Sequence, residues 1–207
     1  KNFAPCDIPV GFHFSRYDSF ILPPVIRSEV QDLKPGEGDH ITVYLPAFDP
    51  VKLIDILGRI WDTEWQVFSP SCDSPNQMGN VSVFPVGNRP FLDSLKNCRG
   101  VVTSAGFETC AEAMYLGKKL FVIPIRNQYE QLCNAASLHE MGVMVADTAE
   151  KNFRPKLQKW LHSVDAVPLP EAADIPALRQ TLFGFAGVPP APQSRLEKSE
   201  VLNTAAF

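Results

Sequence analysis

From about residue 40 the chain settles into a rhythm in which a short apolar, β-prone run is followed by a longer segment whose apolar positions recur with helical period. The runs 41–45, 65–69, 81–84, 100–103, 120–123 and 143–146 predict strands, and 51–60, 91–97, 107–116, 130–141 and 151–162 predict the helices between them. Such alternation is the pattern of a parallel sheet with crossover helices, so the expected class is α/β, a Rossmann-like open parallel sheet with helices on both faces. Residues 41–45, 100–103 and 120–123 are expected as parallel neighbours within it. Pro46, Pro70, Pro85 and Pro124 each follow a predicted strand directly. A residue without an N–H cannot donate to a ladder, so each marks where pairing stops and a loop begins. Gly117 and Gly142 stand just past two helical segments, where glycine can take the left-handed conformation that ends a helix.

The two ends of the chain break this rhythm. Residues 1–28 are punctuated by proline and rich in aromatics, with an apolar burst at Phe20, Ile21 and Leu22 stopped by Pro23 and Pro24. They read as the exit of a preceding domain and its linker, with the α/β domain over 29–165. Beyond Val164, prolines interrupt the remaining sequence, and one short helix is expected near 177–183 within a tail that spans 166–207. A chain that opens on Lys1 without an initiator Met reads as a processed product or a piece of a longer protein.

Apolar residues make up 45% of the 207 and charged residues 20%, a balance that folds. The net charge of −4 and the lack of any basic block exclude a surface built to neutralise nucleic acid. No apolar run approaches the ~20 residues of a membrane span, so no transmembrane segment is expected. Cys6, Cys72, Cys98, Cys110 and Cys133 are odd in number, scattered and without a C-x-x-C pair. That usage predicts a reducing, cytoplasmic setting and no metal site. Cys110 and Cys133 are expected to pack as small apolar residues, Trp61 and Trp65 to seal the core, and Trp160 to lie on the buried side of its helix. His13 and His40 fall in loop-like contexts and His139 and His162 near helix ends, which gives none of them a catalytic context.

Chemistry concentrates in VVTSAGFETCAEAMYLGKKLFVIPIRNQYEQLCNA, residues 101–135, where two loop-to-helix junctions stand close together. In the first, a strand passes through Thr103, Ser104, Ala105 and Gly106 straight into a helix. Unpaired N–H groups at the positive end of a helix dipole make an anion site. The small residues let a diphosphate approach the backbone, and Ser104 and Thr109 add hydroxyls. Glu112, eight residues beyond Ser104 in an otherwise apolar run, reads either as an acceptor for two vicinal hydroxyls or as a solvated helix-face glutamate. The second junction leads from Pro124 through Arg126, Asn127 and Gln128 to Glu130, Gln131 and Asn134. Its row of polar side chains suits a sugar, whose hydroxyls each need a partner in a closed site, or it simply caps and solubilises the helix.

The spacing T-S-A-G-F-E-T-x-x-E, then proline, then E-Q-x-x-N-A resembles the donor-binding signature of GT-B glycosyltransferases. It is most similar to the group holding the bacterial peptidoglycan N-acetylglucosaminyl transferase and the UDP-sugar transferases. The resemblance implies the C-terminal, donor-binding half of such an enzyme. Ser104, Ala105, Gly106 and Thr109 would then face the donor diphosphate, with Arg27 near the phosphates. Glu112 would bind the ribose, Phe91 and Leu92 would stand at the base, and Glu130 with Gln131 would bind the sugar. The substrate would be a nucleotide diphosphate sugar, UDP-linked, with no further cofactor. Transfer would be inverting and metal-independent, to an acceptor the sequence leaves open. The catalytic base would lie on the enzyme's own N-terminal domain, and the last segment, within 185–207, would cross back to that domain and be poorly packed without it.

Two departures stand out. Pro46, Ala47, Phe48 and Asp49 replace the glycine-rich loop after the first strand, and Glu130 replaces the usual aspartate or glutamine. A nucleotide-sugar 2-epimerase would share the fold but show a double glutamate and Arg-Pro-Glu where this chain has Ala111-Glu112 and Tyr129-Glu130-Gln131. A donor-binding subunit of a split transferase is a further reading, against which the linker-like residues 1–28 count.

Overall fold

The computed structural model describes residues 9–147, 153–163 and 165–187. Among these, a seven-stranded sheet carries the domain. Its strands are β3 (Ile41–Tyr44), β4 (Trp65–Ser69), β5 (Asn76–Met78), β6 (Val81–Pro85), β7 (Gly100–Thr103), β8 (Lys119–Val122) and β9 (Met144–Val145), and a small parallel pair, β1 (Gly11–Phe12) with β2 (Ile21–Leu22), precedes it. The spatial order is β5-β6-β4-β3-β7-β8-β9, parallel throughout except for β5, which runs antiparallel to β6. With β5 set aside, the parallel strands read 3-2-1-4-5-6 in sequence order, the Rossmann arrangement, whose order reverses between β3 and β7. The three strands expected as neighbours are neighbours: Val43 pairs with Val102, and Val102 with Phe121.

Two faces explain the apolar runs. All of Gly100–Thr103 is buried, and alternate residues serve opposite cores. Val101, Leu120 and Val122 point into a cluster with Leu95, Met114 and Leu138, whereas Val102, Phe121 and Ile123 join Trp65, Leu57 and Trp160 on the other side. The helices α3 (Asn88–Asn97), α4 (Phe107–Tyr115) and α5 (Tyr129–Glu140) cover the first face; α2 (Pro50–Gly58) and α6 (Phe153–Ser163) cover the second. Gly100 lets α6 come close, because a Cβ there would stand 2.7 Å from the Trp160 ring. The segment before residue 28 adds Phe14, Leu22 and Ile26 to the buried set, followed by the short α1 (Ser28–Gln31), whose Val30 is fully buried.

Local chemistry sets the boundaries. Asp49 caps α2 by accepting from the Val51 N–H, and Pro50 opens that helix where no N–H is needed. Proline is equally tolerated in a first turn at Pro90, so α3 begins three residues ahead of the expected Phe91. Gly117 and Gly142 take positive φ, +66° and +96°, just past α4 and α5 as expected. The antiparallel β5 escaped the sequence reading because Asn76–Met78 is polar and exposed; a turn through Gly79, at φ +61°, joins it to β6.

Several expectations need correction. Pro85 does not follow its strand but is its last residue, paired with Ser69. Because β5 pairs no farther than Val83, Pro85 has a neighbour on one side only, where a missing donor is tolerated. Trp61 is 82% exposed, since α2 has ended and only Trp65 turns inward. Cys133 is exposed on the outer side of α5. The expected tail helix forms as α7 (Ile175–Phe185), while residues 188–207, on which most of the expectation about tail packing rests, lie outside the described residues. No helix among the described residues is long and apolar enough to cross a membrane.

Candidate functional site

At the reversal between β3 and β7, Tyr44 pairs with Thr103, and the Thr103 hydroxyl donates to the Tyr44 carbonyl at 3.0 Å. In open α/β sheets the crevice beyond the carboxyl ends at such a switch point is where ligands bind. The loop of Ser104, Ala105 and Gly106 leaves the sheet at this place. Ser104 and Ala105 are buried, the Ala105 carbonyl accepts from the Asn134 side chain at 3.0 Å, and the Cys110 thiol donates to the Ser104 carbonyl. Burial pushes the Cys110 thiol well above its usual range, as fits a packing residue.

Gly106 takes the N-cap position of α4 and has no side chain with which to cap it, so among the described residues the N-cap leaves the helix's first N–H groups unpaired. The fold itself does not ask for glycine here. Its φ is −68°, and an added Cβ would find nothing nearer than the Ser104 hydroxyl at 4.0 Å. What a side chain at this position would occupy is the open space in front of the helix end.

Two turns along α4, Glu112 is 2% exposed, which removes the reading of a solvated helix-face glutamate. Both carboxylate oxygens accept from Arg27, Oε1 from Nε at 2.6 Å and Oε2 from Nη2 at 2.9 Å, and Arg27 Nη1 donates to Asn88 Oδ1 at 3.0 Å. The hydrogen bonds to Glu112 raise the Arg27 pKa further. Arg27, Asn88, Thr109 and Glu112 line a cavity of about 180 Å³ whose other side is aromatic, formed by Tyr44, Phe68 and Phe91. The Phe91 ring meets Phe68 edge-on at 5.2 Å and Tyr44 at 5.8 Å. Leu92, expected beside Phe91, instead turns into the core at 7% exposure, because successive helix residues face different ways. Tyr44, Phe68 and Asn88 were absent from the sequence reading; the legible signal was that Tyr44 and Phe68 stand at or next to the carboxyl ends of their strands, where the loops gather.

The second junction stands apart from that cavity. Glu130 is exposed in the first turn of α5, and Gln131 turns back so that its Oε1 accepts from the Ile125 N–H at 2.9 Å, bracing the loop. Asn127 holds a positive φ of 65° at the tip. Pro124, Ile125 and Arg126 line a larger cavity of about 580 Å³ together with Phe48, Asp49 and Lys52, so it spans the loops after β3 and β8, the two neighbours of β7. His13 and His40 line neither cavity, and burial lowers the pKa of each. Among the described residues, no three His, Cys, Asp or Glu gather as a metal site would require.

The model of the family described as glycosyl transferase family 1 matches residues 11–164. Among solved structures, the chain is similar to the spinosyn forosaminyltransferase SpnP, at 14% identity and a TM-score of 0.48, over 70% of this chain and 43% of that one. It is similar to the glycotransferase of kitacinnamycin at 16% identity and 0.49, over 70% and 42%, and to ALG13 at 14% and 0.47, over 70% and 96%. The chain thus spans less than half the length of the first two. No curated protein sequence matches it. With the family model covering most of the described α/β domain and its mostly parallel, Rossmann-like sheet, the chain belongs to glycosyl transferase family 1.

Proposed function

We propose that this chain is the donor-binding half of an inverting, metal-independent glycosyltransferase that takes a UDP-linked hexose. One observation carries the reading: the uncapped N-terminus of α4 at the switch point, with a buried carboxylate two turns along the same helix. The diphosphate lies against the N–H groups at Gly106, with the hydroxyls of Ser104 and Thr109 beside it. Negative charge grows there as the glycosidic bond breaks, and a fixed helix end stabilises it without reorganisation. Glu112, about 9 Å along the axis from Gly106 at 1.5 Å per residue, receives the ribose hydroxyls. The base enters the aromatic side of the smaller cavity against Phe91, and Glu130 reaches the sugar. The base that deprotonates the acceptor comes from an N-terminal domain of the same enzyme, and this chain by itself binds donor without turning it over.

A thermal-shift series with UDP, UDP-N-acetylglucosamine, UDP-glucose, GDP and TDP tests the reading. A ligand at 100 times its Kd adds about 2.7 kcal/mol to the folded state, or roughly 5–10 °C in Tm for a domain of this size. Uridine nucleotides should give that rise, and a chain unmoved by every nucleoside diphosphate would overturn the donor site.

A further inference from the structure

We infer that Arg27 serves the ribose through Glu112 rather than the phosphates, acting as a positioning residue that fixes the carboxylate in the nucleoside cavity. The inference rests on the donor-site reading above and alters one role within it.

Three observations carry it. First, the guanidinium is already committed: its Nε and Nη2 hold both oxygens of Glu112 in a two-pronged pair, and Nη1 is held by Asn88. Such a fork fixes the plane as well as the position of a carboxylate. Each carboxylate oxygen has a second lone-pair direction, which leaves Glu112 able to accept from two hydroxyls while Arg27 stays in place.

Second, the charges around the cavity do not suit a diphosphate. Among the described residues of its lining, Arg27 is the one cation, against the carboxylates of Glu108 and Glu112, so these groups sum to one negative charge. That repels a dianion and favours the uncharged ribose and base. Ser104, Ala105 and Gly106 do not line this cavity, and of the residues proposed at the diphosphate only Thr109 does, which sets the phosphate site at its border.

Third, the backbone at Arg27 is anchored rather than hinged. Ile26 and Val30 on either side are buried, the Arg27 carbonyl accepts from the N–H groups of Val30 and Gln31, and the Gln31 side chain donates to the Ile26 carbonyl. A residue held this way is suited to steadying a partner, not to swinging toward an arriving anion.

Calorimetry of the chain and its Arg27→Ala, Arg27→Lys and Glu112→Gln variants, with UMP, UDP and 2′,3′-dideoxy-UDP, separates the two roles. If Arg27 acts through Glu112, Arg27→Ala weakens UMP and UDP by the same factor, about tenfold. It then has little effect on the dideoxy ligand and adds almost nothing in the Glu112→Gln background. Arg27→Lys, which keeps the charge but loses the fork, should fall between. A merely structural loss would weaken the dideoxy ligand equally. A loss that is larger for UDP than for UMP, and that persists with the dideoxy ligand or in Glu112→Gln, assigns Arg27 to the phosphates and overturns the inference while leaving the donor site standing. A wild-type chain that binds none of these ligands overturns both.

Discussion

At the junction after β7, Ser104 and Ala105 are buried, their carbonyls are taken by Cys110 and Asn134, and the carboxylate farther along the helix is locked to Arg27. At the junction after β8, by contrast, residues 126–130 are exposed, and the side-chain brace comes from Gln131 to Ile125. Both are strand-to-helix turns at the carboxyl ends of neighbouring parallel strands. The first is an extension of the core whose geometry exists before any ligand arrives; the second presents Arg126, Asn127, Gln128 and Glu130 to solvent. Preorganised groups serve where charge develops, and polar groups that pair with hydroxyls once a ligand is bound serve selection between similar ligands. The proposed diphosphate and sugar roles divide along that line.

Substitutions sharpen the contrast. The largest expected effect is Arg27→Ala, which strands a buried carboxylate. Urea unfolding should show a loss of roughly 2–3 kcal/mol, below the full cost for a wholly buried pair because Arg27 keeps solvent contact. Most of that should return in the Arg27→Ala/Glu112→Gln double variant. A single variant as stable as wild type would mean that the first junction is not held by this pair.

Asn134→Ala is expected to cost about 1–2 kcal/mol in the same measurement, because it leaves the Ala105 carbonyl without a donor. It is also a bridge, since Asn134 sits on the helix of the second junction and steadies the loop of the first. UDP binding should weaken with it even though Asn134 touches no ligand in the proposed site.

Gly106→Ala should behave in the opposite way. With φ at −68° and open space around the added methyl, stability should hold or rise by about 0.5 kcal/mol through the unfolded chain. UDP binding should fall, because the methyl stands where the diphosphate meets the backbone. Unchanged binding would move the phosphates away from this helix end.

The smallest change in stability is expected for Glu130→Ala, within about 0.5 kcal/mol, as for other exposed positions. Calorimetry should find UDP binding unchanged and UDP-sugar binding weakened. Equal losses for both ligands would remove Glu130 from the sugar.

Period and punctuation made most of the fold legible. Strands β4 and β7 have the expected limits, and other strand and helix ends moved by one to three residues where capping decided them, as at Asp49 and Pro90. The polar β5 and the outward Trp61 were not legible, since neither carries an apolar pattern that depends on burial. The site was legible in part: the motif spacing pointed to Ser104, Gly106 and Glu112, while Tyr44, Phe68 and Asn88, far apart in sequence, come to one cavity only when the strands line up.

By itself, then, the sequence determined the α/β class, the parallel sheet and the two junctions, because hydrophobic period and the backbone limits of proline and glycine act over a few residues. Only the tertiary structure decided that Glu112 is a buried, paired carboxylate, that Leu92 is core while Phe91 faces the cavity, and that Gln131 braces its own loop. Those outcomes depend on partners 85 residues away, as for Arg27 and Glu112, or on which side of a helix meets the sheet. No local pattern encodes a charge's partner, because the partner is chosen by the order of the strands.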